Sequence, residues 1–559
     1  MIIKQLRENI AFQTKSYAKT IMNPNLLQRQ NWHGGQLLAF SGIEGKTDYK
    51  NSITAKTSFK NPGIEIKFPG ECKIKFSLLD HGDFVIAGDF FDLKSSQGNL
   101  KGVFLDAYHL LIEGSCEITE INEQITSYTE GDLTLIGATA NFDKTKVSEN
   151  LSEAITLRGQ WLKKQTLPED LTEVTQRTAV KFLSIMKTQI YSPENQIKSH
   201  WSTPDRWPHK DMWLWDSVFH AIGWRHIDKQ ISKELIDAVL DTQKEDGYIA
   251  HQMTPDKVSA ITQPPILAYG VDLVNEYLNN KEWIKEVYPK LCRYVEWDFK
   301  NRDTDGAGLV EWFIEGNTTC RSGESGMDNS PRFDTATQLD AVDFNSFLAL
   351  EYEILSKFAS ILELKEDANK WKNKHQELNQ LIRKKLWSEE EQFFVDYDVD
   401  INKASPVIAS SGFLPLICGA ATKQQAEILA KHLNDPNMFA TSFPISSIAV
   451  KDCEHYSKDM WRGPTWININ WLIAKGFERY GLNDVALSIR KRTSEVIEQE
   501  CERFGVSFEY YDDRNEIDPP ELLRKGQCSP EESPYFQVLH DYGWTATLYI
   551  DLLFTQKDL

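Results

Sequence analysis

The sequence predicts a mainly α protein: an (α/α)6 barrel over residues 166–559, preceded by an all-β, sandwich-like N-terminal domain over residues 1–165. Three observations carry this reading. Short alternating bursts fill the first part of the chain, paired helical segments fill the rest, and five polar, aromatic-rich stretches break the helical pattern at comparable positions.

The bursts are ITAKTSF (53–59), GIEIKF (63–68), CKIKFSLL (72–79), DFVIAGDFF (83–91), GVFLDAYHLLI (102–112), EQITSYT (123–129) and DLTLIGATANF (132–142). Each alternates apolar and polar residues and is bounded by Gly, Asn, Asp or Lys, which is how antiparallel strands read. The glycine-rich stretch at 32–49 has neither a P-loop lysine nor GxGxxG, so a phosphate cradle is not expected.

From Glu169 the pattern becomes helical. Eleven segments qualify: 171–190, 212–227, 231–244, 265–280, 282–300, 337–362, 367–387, 423–435, 464–481, 484–505 and 541–554. SSGFLPLICGA (410–420) is a short twelfth. Some are apolar nearly all round, as in WININWLIAKGF, and others carry one charged face, as in KWKNKHQELNQLIRKKL. Buried inner helices alternating with amphipathic outer ones make six pairs, the requirement of a closed double ring. No 34-residue solenoid repeat is evident.

Composition narrows the function. A net charge of −20 over 559 residues leaves no basic stripe for nucleic acid or an anionic membrane. The N-terminus lacks the apolar core of a secretory leader, and no run reaches the length of a membrane span, so a cytoplasmic location is expected. Eight cysteines without CxxC or metal-type spacing fit reduced thiols. DTDGAG (303–308) looks like a calcium loop, but its twelfth position is Trp312 rather than an acid, so it reads as a tight turn and no metal or cofactor is expected.

The five breaks are DRWPHKDMWLWDS (205–217), DGYIAHQ with TQPP (246–252 and 262–265), CRSGESGMDNSPRF (320–333), DMWRGPTW (459–466) and VSFEYYDD (506–513). Together they describe the wall of a polar, aromatic-lined pocket. Tryptophans cluster there, including Trp207, Trp215, Trp461 and Trp466, and flat apolar faces with an N–H suit sugar rings. Acids without a metal set or a nucleophile–His pair point to acid/base chemistry. Glycoside hydrolysis needs two carboxyls of this kind, one protonated and one ionised.

SGMDNSPRF, MWLWDSVFHA, TQPP, MWRGPTWININWLI and FEYYDD, in that order over residues 170–556, resemble the motifs of glycoside hydrolase family 63 and, more distantly, of trehalases. The resemblance implies an inverting α-glycosidase acting on a short α-glucoside or α-mannoside, a small carbohydrate being the partner. By position it implies Asp328 as general acid and Glu509 as general base. Trp215 with Asp216 would hold the non-reducing sugar, and His251, Gln252 and Gln263 would contact its hydroxyls. Trp461, Arg462, Trp466, Tyr510 and Trp544 would line the cavity. The plain alternative for Asp328 is a cap on the helix that follows. Trehalases carry an arginine where Ile261 stands, which disfavours trehalose. A carboxylate aglycone would need a loop arginine, with Arg206, Arg321, Arg332 and Arg462 as candidates. Two other readings are a sugar isomerase or epimerase using a histidine pair, for which only His251 and His540 lie near the loops, and a non-catalytic carbohydrate-binding protein. Oligomeric state is not legible.

Overall fold

A computed structural model describes residues 20–21, 24–59, 61–76, 82–316 and 320–556. The opening segment read for a leader (1–17) and the end of the burst 72–79 lie outside the described residues.

Twelve described strands form the two sheets of the N-terminal part: β1 (Gln28–Arg29), β2 (Leu37–Ala39), β3 (Thr54–Thr57), β4 (Gly63–Phe68), β5 (Cys72–Phe76), β6 (Asp83–Ile86), β7 (Phe90–Ser95), β8 (Gly98–Phe104), β9 (His109–Glu113), β10 (Cys116–Thr119), β11 (Ile125–Glu130) and β12 (Leu133–Ala138). They make a seven-stranded sheet, order β11-β12-β9-β8-β7-β6-β1, and a five-stranded sheet, order β10-β5-β4-β3-β2. Every described pairing in them is antiparallel, with β9 in register Leu110↔Phe104 on β8 and Leu110↔Ile136 on β12. The period of two decides which side each residue serves. Leu110, Ile112, Phe104 and Ile136 meet Leu38, Ile64 and Ile74 of the other sheet in one core. Leu111, Val103 and Leu135 point the other way, into the core of the helical part.

Two expectations about this segment need correction. DFVIAGDFF and GVFLDAYHLLI each contain a turn, at Gly88 (φ 83°) and around Asp106, and so contribute to two strands rather than one. The N-terminal part is also not all β. Residues Leu151–Lys164 form a helix, α1, whose first turn is capped by the Asn150 side chain accepting the Glu153 N–H at 3.1 Å. Leu151 and Leu162, eleven positions apart and hence on one face, bury it against the seven-stranded sheet and α2. The strand Thr20–Ile21 pairs with Thr166–Leu167, tying the two parts across residue 165.

The remaining helices are α2 (Glu173–Thr188), α3 (Leu214–Trp224), α4 (Lys229–Asp241), α5 (Leu267–Leu278), α6 (Lys281–Arg302), α7 (Val342–Ile361), α8 (Lys365–Lys385), α9 (Pro415–Cys418), α10 (Lys423–His432), α11 (Ile467–Arg479), α12 (Asn483–Phe504) and α13 (Gly543–Thr555). α3, α5, α7, α9, α11 and α13 each pack on the next, and α13 packs back on α3, closing a ring. Sequence explains the inside of the ring: α3 is buried at every residue and α13 at all but Phe554. α8, by contrast, buries Trp371, Leu378, Asn379 and Ile382 along one stripe and leans on α7. α2 flanks α13, and α12 flanks α11. Glu351 of α7 stitches two inner helices by accepting the N–H groups of Ala268 and Tyr269 at 2.8 and 2.9 Å, which caps the start of α5.

No described helix is long and apolar enough to cross a membrane. All eight cysteines are free.

Candidate active site

The beginnings of the inner helices bring the aromatic residues together. α3 starts one residue before Trp215 and two before Asp216, and the Gln263 Oε1 accepts the Trp215 N–H at 3.1 Å. α11 starts after Trp466, and Trp544 is the second residue of α13. Trp461 and Trp466 stack at 3.9 Å with planes 3° apart. Trp466 meets Tyr510 at 4.7 Å and Trp544 at 5.7 Å, and Trp215 meets Trp544 at 5.5 Å and Trp461 at 6.5 Å. The Trp544 indole N–H is buried and has no hydrogen-bond acceptor among the described residues.

The loop 320–333 rests on this cluster. Gly326 has φ 70°, and a Cβ there would stand 2.3 Å from the Trp215 ring, so close approach and backbone shape both require glycine. Asn329 accepts the Trp461 N–H at 3.0 Å and donates to the Asp459 carbonyl at 3.2 Å. Arg332 is clamped between Asp343 and Asp396 by four bonds of 2.6–2.8 Å. Asp328 therefore sits on a segment held from both sides. It caps no helix, because the short turn that follows, Pro331–Phe333, has Ser330 at its N-cap. Burial pushes the Asp328 carboxyl above its ordinary value, and the nearby Glu509 charge adds to this; Lys525, the Cys320 thiol and Arg524 oppose it.

Glu509 lies on the extended segment after α12, where its N–H donates to the Leu539 carbonyl at 3.0 Å. Arg524 grips its carboxylate with Nε at 2.8 Å and Nη2 at 3.2 Å. Asp216 completes the acids. Burial, then Glu509, push its carboxyl well above the ordinary range, while Tyr542 donates its hydroxyl at 3.5 Å.

The other candidates have partners outside this cluster. Gln252 donates to Asp211 at 2.6 Å from a short strand, Gln252–Met253, that pairs with Met212–Trp213. His251 bonds Ser259 at 2.6 Å, stands edge-on to Trp213 at 5.1 Å, and is lowered by burial to about 4. Trp207 has the Lys67 ammonium at 5.9 Å from its ring and makes none of the ring contacts of the tryptophan cluster. Arg462 pairs with Asp334. The arginines considered for an anionic aglycone are engaged in the protein itself. Arg332 is clamped as above, Arg206 is buried against Tyr191 and the Thr188 carbonyl, and Arg321 donates to the Phe333 and Ala336 carbonyls at 3.0 and 3.1 Å. His251 and His540 do not form a pair: His540 bonds the Val538 carbonyl at 2.9 Å and is lowered by burial to about 3.

Three residues near the acids escape sequence reasoning: Arg524, Lys525 and Tyr542. They carry no motif of their own, and only folding brings residues 524–542 back to Glu509. The turn at 303–308 bends on Gly306 and Gly308 as expected, with φ 73° and 88°. It also gathers one carboxylate oxygen each of Asp303, Asp305 and Glu311 within 4.8 Å, a set that could hold a hard cation. A test of the twelfth position alone passes over Glu311.

Residues 208–545 match the family model of the mannosylglycerate hydrolase MGH1-like glycoside hydrolase domain. The mannosylglycerate hydrolase MGH1 of Selaginella moellendorffii is 24% identical over 377 residues, covering 54% of this chain and 75% of that protein. A mannosylglycerate hydrolase of Thermus thermophilus is 25% identical over 382 residues, covering 54% of this chain and 88% of that protein. A crystal structure of a family 63 mannosylglycerate hydrolase from Thermus thermophilus with glucose aligns with a TM-score of 0.54 at 23% identity, over 67% of this chain and 99% of that one.

Proposed function

The chain belongs to the mannosylglycerate hydrolase MGH1-like glycoside hydrolase family, and from that premise we propose that it hydrolyses a short α-glucoside or α-mannoside with inversion, Asp328 being the general acid and Glu509 the general base. One observation carries the assignment. Two carboxyls whose charges act on each other meet an aromatic wall, one raised by burial and the other clamped by an arginine. The raised group is suited to deliver a proton to the leaving oxygen, and the arginine-aimed carboxylate to accept a proton from water. Arg524 leaves lone pairs of Glu509 available, since a carboxylate offers about four acceptor sites.

Asp216, Trp215 and the Trp544 N–H are assigned to the non-reducing sugar. The closed inner ring with its flanking helices supports an (α/α)6 barrel over residues 166–559, behind an N-terminal β-sandwich domain over 1–165. A histidine-pair isomerase is disfavoured by the separate engagements of His251 and His540.

The aglycone leaves on the side of Asp328, where Lys525 contributes positive charge. An anionic aglycone such as glycerate would meet that ammonium rather than any loop arginine. A hydrolysis screen across kojibiose, nigerose, trehalose, glucosylglycerate and mannosylglycerate tests the reading. The glycerate conjugates should turn over fastest, and Lys525→Ala should raise KM for them alone. Equal KM changes for neutral and anionic substrates would remove Lys525 from that role, and no hydrolysis of any α-glycoside would end the proposal.

A further inference from the structure

The N-terminal sandwich reaches the hydrolytic centre through one buried side chain. Lys56 of β3 is 6% exposed, and its Nζ donates to the His540 carbonyl at 2.9 Å and stands 3.8 Å from Asp205. His540 is bridged in the β manner to Phe508, the neighbour of Glu509, and Leu539 takes the Glu509 N–H. The contact is therefore one residue removed from the backbone that aims Glu509.

Other bonds fix the same segment. Asp541 Oδ2 accepts the Leu37 N–H of β2 at 2.7 Å and the Lys181 ammonium of α2 at 2.9 Å. Gln189 donates to both the Pro204 and the Asp541 carbonyls at 2.8 Å, joining the Asp205 loop to the start of α13. Gly35 (φ 79°) lies so close to the His540 ring that a Cβ would meet it at 2.7 Å. Asp205 is fully buried; His209 donates its N–H to Oδ1 at 3.0 Å, while Oδ2 faces Lys56 without a hydrogen bond.

We propose that Lys56 is a positioning residue of the hydrolytic reaction, so that the β-sandwich is part of the catalytic unit rather than an appended module. Its ammonium holds the strand behind Glu509 and supplies positive charge to Asp205 and Glu509. This rests on the assignment of Glu509 as base. The charged and titratable groups around Lys56 are Asp205 before α3, His540 and Asp541 before α13, Lys181 on α2, and Glu509 after α12. Around Glu509 they are Arg524, Asp216, Asp328, Tyr510 and Tyr542. Removing the Lys56 charge leaves the buried Asp205 carboxylate without the ammonium that favours its ionised form, and Asp205 in turn acts on Asp216 in the site.

The test compares full-length wild-type, Lys56→Met, Lys56→Arg and Glu509→Gln protein on the substrate that turns over best. Lys56→Met should lower kcat about 10-fold with KM within about twofold, and move the acid limb of the kcat/KM profile upward by about half a pH unit or more. Lys56→Arg should restore the position of that limb. If Lys56→Met does not fold, a folded Lys56→Arg protein that keeps the wild-type limb while Asp205→Asn moves it downward supports the proposal, and an unmoved limb in Asp205→Asn overturns it. A folded Lys56→Met protein with wild-type kcat and pH profile overturns it too. In either case an inactive Glu509→Gln leaves the assignment of the base intact, whereas an active one defeats that assignment instead.

Discussion

Arg524 lays its guanidinium along the Glu509 carboxylate, Nε to Oε2 at 2.8 Å and Nη2 to Oε1 at 3.2 Å, with both residues 3% exposed. Such a two-bond fork fixes the direction of the carboxylate as well as its charge. Removing one partner of a buried pair leaves the other uncompensated, at a cost of about 3–5 kcal/mol. Arg524→Met should therefore lower stability by that amount in denaturant titration. In the surviving enzyme kcat should also fall, because the Glu509 carboxylate loses the fork that aims it. Unchanged stability and an unchanged kcat would show that the fork does neither.

Asp328→Asn keeps the shape of the loop but removes the proton that the proposed general acid would transfer. Loss of a general acid costs about two to four orders of magnitude in rate. The variant should keep the wild-type unfolding transition while kcat falls by that factor. Near-wild-type turnover in a well-folded variant would remove Asp328 from the chemistry.

Gly326 has no space for a side chain against Trp215. Gly326→Ala adds both a steric contact and a left-handed backbone penalty of about 1–2 kcal/mol. The loop must shift, carrying Asp328 with it, so kcat should drop at least about 10-fold, since misplacement by about an ångström can cost about 100-fold. An alanine variant as active as wild type would mean that the loop is not held by this contact.

These residues also show what a one-dimensional reading can reach. Asp216, Asp328, Glu509, Trp215, Trp461 and Trp466 stand in stretches whose letters depart from helical periodicity, so they are visible, and folding brings Trp215, Asp216 and Trp466 to the beginnings of two inner helices. Arg524 and Lys56 are invisible because their partners lie 15 and 484 residues away in sequence. Arg332 misleads for a related reason. A loop arginine looks available for a ligand until Asp343 and Asp396 fold around it. The helix at 151–164 escapes notice because its apolar stripe is thin, with only Leu151, Gly159 and Leu162 buried.

Glu351 makes a stability prediction. Burial raises its carboxyl from 4.5 to about 8, although the α5 N–H groups pull the other way. The folded state binds this proton more tightly than the unfolded state, so its contribution is fully present below about pH 4.5 and is lost as pH rises towards 8. Glu351→Gln keeps an acceptor oxygen without the charge. Its Tm relative to wild type should rise between about pH 5 and about pH 9. A difference that does not change with pH would mean that the carboxylate is already ionised throughout.

Direct attack by a water that Glu509 deprotonates while Asp328 protonates the leaving oxygen, as proposed, has a stereochemical signature. Inverting enzymes hold their carboxyls about 6.5–9.5 Å apart, leaving room for water, and form no covalent intermediate. Proton NMR of the anomeric region during the first minutes of turnover of an α-linked substrate reads the outcome directly. The β-anomer should appear first, with the α-anomer growing in only as mutarotation proceeds. Initial release of the α-anomer, or a glycosyl ester trapped on Glu509, would contradict it.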